Sequence, residues 1–160
     1  MESNHNQIVS LIWNIADDVL RDVFLRGQYR DVILPMVVLR RLDALLEPTK
    51  DAVEEELKVQ EELELPEPDE DALKDITQKS YFNTSHWTLN RLKSQASDNN
   101  DLLYDNFVEY LNGYSENVRD VLKNFEYYSK ARKLADNDRL LTSSMRHPNH
   151  LLWYPFRTIA

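Results

Sequence analysis

Cysteine is missing from all 160 residues, so disulfides, thiolate nucleophiles and thiolate zinc sites are excluded together, and the composition suits a reducing compartment. There are two glycines, Gly27 and Gly113, each standing alone after a helical pattern where a C-terminal cap would sit. A glycine-rich phosphate loop is thereby ruled out. Nowhere do about 18 apolar residues run together, and Met1 to Gln7 has no basic stretch followed by an apolar one. Neither a membrane span nor a signal peptide is supported, and the expected location is cytoplasmic. Period-two alternation and internal repeats are absent too, which removes the signature of a sheet.

The chain does carry enough apolar residues, 42 % hydrophobic, for one domain with a real core. Ile8, Leu11, Ile12, Ile15, Val19 and Val23 recur at helical spacing beside a second stripe of Trp13, Ala16, Leu20 and Phe24, predicting a first helix buried on two sides, with Asn4 as a cap and Gly27 as its stop. Tyr29 to Glu47 carries a second helical pattern, broken or begun near Pro35 because proline is at ease only in a first turn. A weaker acidic helix follows Pro48. Residues 64–71, charged and proline-containing, read as a mobile loop.

Further on, the pattern predicts a short helix from Ala72 to Lys79, an aromatic turn region from Ser80 to Trp87, and a helix through Leu89 and Leu92 capped by Ser85. Asp98 or Asn100 caps another, with Leu103, Phe107, Tyr110 and Leu111 on one face. From Ser115 the face Val118, Val121, Leu122 and Phe125 continues through Tyr128, Ala131 and Leu134, and one more short helix starts after Asn137. The expected fold is all-α, an irregular multi-helix bundle in a single domain.

Charge is distributed unevenly. Eleven acids and one base, Lys58, lie between Asp51 and Asp71; taking them from the 28 acids and 19 bases of the whole leaves 17 and 18. The net charge of −9 therefore says little about the rest of the surface, since charges beyond ~8 Å are screened at physiological salt. Arg21, Arg26, Arg30, Arg40 and Arg41 cluster around the first two helices, where they suit either phosphates or the nearby Asp17, Asp18, Asp22, Asp31 and Asp43. Between Arg119 and Arg146 lie seven bases and four acids with Tyr127 and Tyr128 interleaved, which makes this the foremost candidate contact surface. The candidate DNA contacts are Arg40, Arg41, Lys130, Arg132 and Lys133. The pair His147 and His150 straddles a proline and lacks metal-site spacing, and the acidic run lacks the spacing of a calcium loop. Catalytic, cofactor-binding and metal-binding residues are not identified.

Three segments carry a family resemblance: W-N-I-A-D-D-V-L-R from Trp13, Y-R-D-V-I-L-P-M-V-V-L-R-R-L-D-A-L-L-E-P-T-K from Tyr29, and S-E-N-V-R-D-V-L-K-N-F-E from Ser115. Together they resemble the N-terminal helical domain of the modification (M) subunit of type I restriction-modification DNA adenine methyltransferases, over about Ile8 to Leu141. The resemblance implies a helical domain preceding a catalytic one that binds S-adenosylmethionine and methylates adenine at N6. It implies as partners DNA, a specificity (S) subunit and a second M subunit, with the restriction (R) subunit as a further candidate. It carries no catalytic or cofactor residue onto this chain. Residues 142–160, where Pro148 and Pro155 flank Leu151, Leu152, Trp153 and Tyr154 and Phe156 follows, depart from the family, and a truncated or shifted reading frame is the expectation there. The rival reading is a free-standing helical protein-interaction module.

Overall fold

Helical backbone begins in the N-terminal segment, where Asn6, Gln7, Val9, Ser10, Trp13, Asn14, Ala16, Asp17 and Leu20 are all helical. The computed structural model describes residues 6, 7, 9, 10, 13, 14, 16, 17, 20–95, 100–137 and 140. Ala16, Leu20, Val23 and Phe24 are buried, whereas Val9 and Trp13 are exposed. Trp13 keeps a tilted contact with the Tyr29 ring, 6.4 Å between centroids, in place of a covering layer. The predicted burial on two sides is thus not reached at this position. The Asn4 and Asp98 caps, the helix start after Asn137, the His147 and His150 pair and the 142–160 tail lie outside the described residues.

Gly27 is not the left-handed stop that its position suggested. It sits inside a 3-10 turn, Arg26–Gln28, which runs directly into helix α1, Tyr29–Leu46, and neither glycine has positive φ. Helix α1 also passes unbroken through Pro35, correcting the predicted break. The ring is fully buried, so its apolar contacts offset the lost backbone bond. A second 3-10 turn, Glu47–Thr49, takes Pro48 into its first turn and leads to α2, Lys50–Glu62.

The acidic loop is tied down at both sides. Glu64 adopts φ 53°, Leu65 N–H returns to the Gln60 carbonyl at 3.2 Å, and Asp69 N–H donates to the buried Gln60 side chain at 2.9 Å. Asp69 then caps α3, Glu70–Thr77, by accepting from the Asp71 and Ala72 amides, so the helix starts two residues before the predicted Ala72. Helices α2 and α3 close a small core of Val53, Leu73 and Phe82, flanked by Leu57 and Ile76.

Thr88, not Ser85, caps α4, Leu89–Ser94. Helix α5, Asn100–Asn112, buries Leu103, Phe107, Tyr110 and Leu111 as the pattern predicts. Helix α6, Glu116–Asn124, buries Val118 and Leu122 but leaves Val121 exposed. The run predicted to continue from it is interrupted where Glu126 takes φ 51°, and α7, Tyr127–Asp136, sets off in a new direction. Its fully buried Ala131 lets α7 approach α5, and Tyr127 meets Phe107 edge to face at 6.2 Å. The main core joins the N-terminal segment, α1, α4, α5, α6 and α7. Among the described residues no strand forms; one antiparallel bridge pairs Asn83 with Tyr114. The fold is all-α and a single domain, and no described helix is long and apolar enough to cross a membrane.

A polar cluster crosses this core. The Asp43 carboxylate on α1 accepts from the Leu89 amide at 3.2 Å, the Tyr110 hydroxyl at 3.1 Å and the Arg40 guanidinium at 3.4 Å. Because Tyr110 directs its proton to Asp43, the Tyr114 hydroxyl donates to it across 2.7 Å. Nearby, the Lys50 ammonium donates to the carbonyls of Asn83, at 3.0 Å, and Ser85. Asn83 in turn donates to the Tyr110 carbonyl and accepts from the Ser85 amide. Burial pushes the Asp43 carboxyl and the Tyr110 and Tyr114 hydroxyls up. Each interaction satisfies a group that would otherwise be desolvated at a cost.

Burial brings Lys50 down from 10.5 to about 8, with Glu54 pulling the other way. Between those values the unfolded chain holds a proton that the native chain releases, so this group adds stability as pH rises through the window. The urea midpoint should therefore gain a lysine contribution between about pH 8 and pH 10 that Lys50→Met abolishes. Parallel trends in the two proteins would refute the assignment.

Candidate nucleic-acid interface

The cations proposed to meet DNA sit on two helices. On α7 the apolar positions Tyr127, Ala131, Leu134 and Ala135 turn inward, and this spacing leaves Tyr128, Lys130, Arg132, Lys133 and Asp136 on the outer side. Each base has its own engagement. The Lys130 ammonium donates to the Phe125 carbonyl at 2.5 Å, at the C-terminal end of α6, where the helix dipole favours a cation. Arg132 is clamped by Asp101 at 3.1 Å and Asp136 at 2.9 Å, with its guanidinium 4.8 Å from the centre of the Tyr104 ring. Lys133 is exposed and lies 4.6 Å over the Phe24 ring. It has no carboxylate partner among the described residues.

On α1, Arg40 is half-buried against Asp43, while Arg41 is exposed and faces Tyr81 closely enough to oppose the upward push of burial on that hydroxyl. These two arginines and the α7 bases therefore stand in separate surroundings: Asp43 and Tyr81 on one side, Phe24, Phe125 and Tyr104 on the other. The structural alternative for the first arginine cluster is realised in part. Arg26 pairs with Asp17, Nε to Oδ1 at 3.1 Å, and its hydrogen bond is the main cause holding that carboxyl below its usual range. Arg30 stands 3.9 Å from Asp31.

Among the described residues no cluster of His, Asp or Glu could hold a metal ion, and the buried carboxylate Asp43 is already committed to three donors. What the outer face of α7 offers is positive charge on a rigid helix beside aromatic rings.

The HsdM N-terminal domain family matches residues 8–147, nearly the whole chain. The chain belongs to this family. HsdM N-terminal domains are the N-terminal part of the modification subunits of type I restriction-modification systems. No curated protein and no solved structure matches the chain.

The match takes in every described helix of this HsdM N-terminal domain, from α1 to α7. Its buried, hydrogen-bonded polar residues Asp43, Lys50, Asn83 and Tyr110 are not among the sequence-based candidates. The signal was present: Leu39, Asp43, Leu46, Lys50 and Val53 follow one another at steps of four, three, four and three, so both charges sit on a buried face. Arg119 belongs to the predicted contact segment but not to the five candidate DNA contacts. It is half-buried with its Nε enclosed and no hydrogen-bond partner to that atom, beside the Tyr128 ring system.

Proposed function

We propose that this HsdM N-terminal domain works as a non-catalytic clamp and assembly element of a type I modification complex. The reaction itself, transfer of a methyl group from S-adenosylmethionine to adenine N6 in DNA, belongs to the catalytic domain of the full-length subunit. The partners in this reading are DNA, the specificity subunit and a second modification subunit, with the restriction subunit as a further contact, in the cytoplasm. The observation that carries it is the family match over residues 8–147, supported by the absence of strands, and so of a nucleotide-binding sheet, among the described residues.

The test is to supply the catalytic segment and the specificity subunit in trans and look for methylated DNA. Methyl transfer by the 160-residue chain alone would overturn the reading. If duplex DNA is ignored at low salt while the other subunits are bound, the role contracts to assembly. The rival, a free-standing interaction module, draws support from the exposed Trp13 and Leu25.

The α7 geometry ranks the bases. Arg132 is already neutralised by two carboxylates, so Lys133→Ala should weaken DNA binding more than Arg132→Ala. The triple replacement of Lys130, Arg132 and Lys133 should lower the salt slope by up to ~0.9 for each phosphate no longer neutralised. Anisotropy titrations at several salt concentrations measure both, and equal losses for the two single variants would contradict the ranking.

A further inference from the structure

The α2–α3 hairpin carries an apolar face that nothing among the described residues covers. Val59 on α2, Leu63 at its C-terminal cap one turn on, and Leu65 just beyond are 46 %, 67 % and 45 % exposed. The opposite side of α2 packs into the small core, through Val53 and Leu57. Gln60 holds the tip in shape: its side chain accepts from the Asp69 amide and donates to Glu56, and its carbonyl accepts from Leu65. The exposed face is thus presented by an anchored turn and does not depend on chance collapse.

Carboxylates surround it. Glu55 and Glu62 lie on the same strip of α2 as Val59 and Leu63, and Glu61, Glu64 and Glu67 follow around the turn, all exposed. None of these five has a cation partner among the described residues, whereas Glu54, Asp51 and Glu70 are paired with Arg91 and Lys74. Lys58 is the lone base of the segment. A covering partner must therefore bring positive charge as well as apolar contacts. Phosphates and anionic headgroups would be repelled, and so would the same acidic face of a second copy of this chain, whose net charge is −9.

We infer that the Val59, Leu63 and Leu65 face is a docking site for a basic amphipathic helix of another protein, with leucine-like anchors framed by lysine or arginine. Apolar anchors supply affinity and the charged rim supplies selection, the usual division of labour for a helix laid on a groove or face. The inference does not rest on DNA binding or methylation, and its test uses neither.

The probes are two labelled synthetic peptides of equal length and charge, one with leucines at i, i+3, i+4 and i+7 and lysines on the flanking positions, the other with serine for every leucine. At physiological salt, anisotropy should show the leucine peptide bound at least about tenfold more tightly by the intact chain. That preference should vanish in the V59S/L63S/L65S variant, and binding should weaken in E61Q/E62Q/E64Q, with circular dichroism confirming that both variants fold. Equal binding of the two peptides, no binding at all, or a preference that survives the serine variant would overturn the inference.

Discussion

Replacing Asp43 with alanine should cost the domain about 3–5 kcal/mol of unfolding free energy, the range for removing one partner of a buried charged network. The Leu89 amide, the Tyr110 hydroxyl and the Arg40 guanidinium would each lose an acceptor inside the core. Against a total stability of about 5–15 kcal/mol, a loss of that size removes a large share of the margin. Asp43→Asn should be much milder, below about 2 kcal/mol, because its side-chain oxygen still accepts from Leu89 and Tyr110. The sign of the titration agrees. Burial raises the Asp43 carboxyl above its ordinary 3.8, so this group's contribution is greatest below that value and declines as pH climbs past it. Burial disfavours the charged form, and what matters is the acceptor. Urea unfolding of the two variants at pH 7 decides the matter: equal losses would show that the hydrogen bonds at Asp43 do not carry the stability assigned to them.

The helices were legible where one face is apolar and regular. Leu103, Phe107, Tyr110 and Leu111 are buried as their spacing foretold, because their steps of four, three and one place them on one face of α5. Boundaries were less legible where backbone chemistry can be satisfied in more than one way. Ser85 has the right residue type for a cap, yet it is drawn into the Lys50 and Asn83 cluster, and Thr88 caps α4 in its place. Pro35 was read as a break because its missing N–H is a local cost, while the compensating burial is tertiary. The change of course between α6 and α7 depends on Glu126 in the left-handed region, which few non-glycine residues adopt and no pattern announces. For the cations, residue type was readable but engagement was not. Arg132 and Lys133 are neighbours in sequence, and only folding reveals that one is held by Asp101 and Asp136 and the other is not.

Gly113→Ala should be the other severe change, by about 1–3 kcal/mol or more, the usual penalty for forcing extra volume into a packed site. A β-carbon at Gly113 would stand 2.5 Å from the Asn83 side-chain oxygen and 2.6 Å from the Ser85 backbone nitrogen. The backbone neighbour cannot swing aside, because the Gly113 carbonyl accepts from Thr84 and the Ser115 amide donates to Phe82, stapling the two chain segments together. Gly27 is the internal control. Nothing lies within 4 Å of a β-carbon there and its φ is negative, so Gly27→Ala should be neutral or stabilise by up to about 1 kcal/mol through the unfolded chain. Thermal melts of the two alanine variants separate the roles: similar midpoints would mean that the close approach at Gly113 is not what the position requires.

The cluster around Asp43 and Lys50 also constrains the order in which the polypeptide can mature. Asp43 and Lys50 emerge from the ribosome early, but their acceptors and donors at Asn83, Ser85, Leu89 and Tyr110 follow 33 to 67 residues later. Until those arrive, the face of α1 and α2 that will become interior keeps two hydrated ions and cannot consolidate on its own. Nascent α1 and α2 should thus stay open until the rest of the domain has been made.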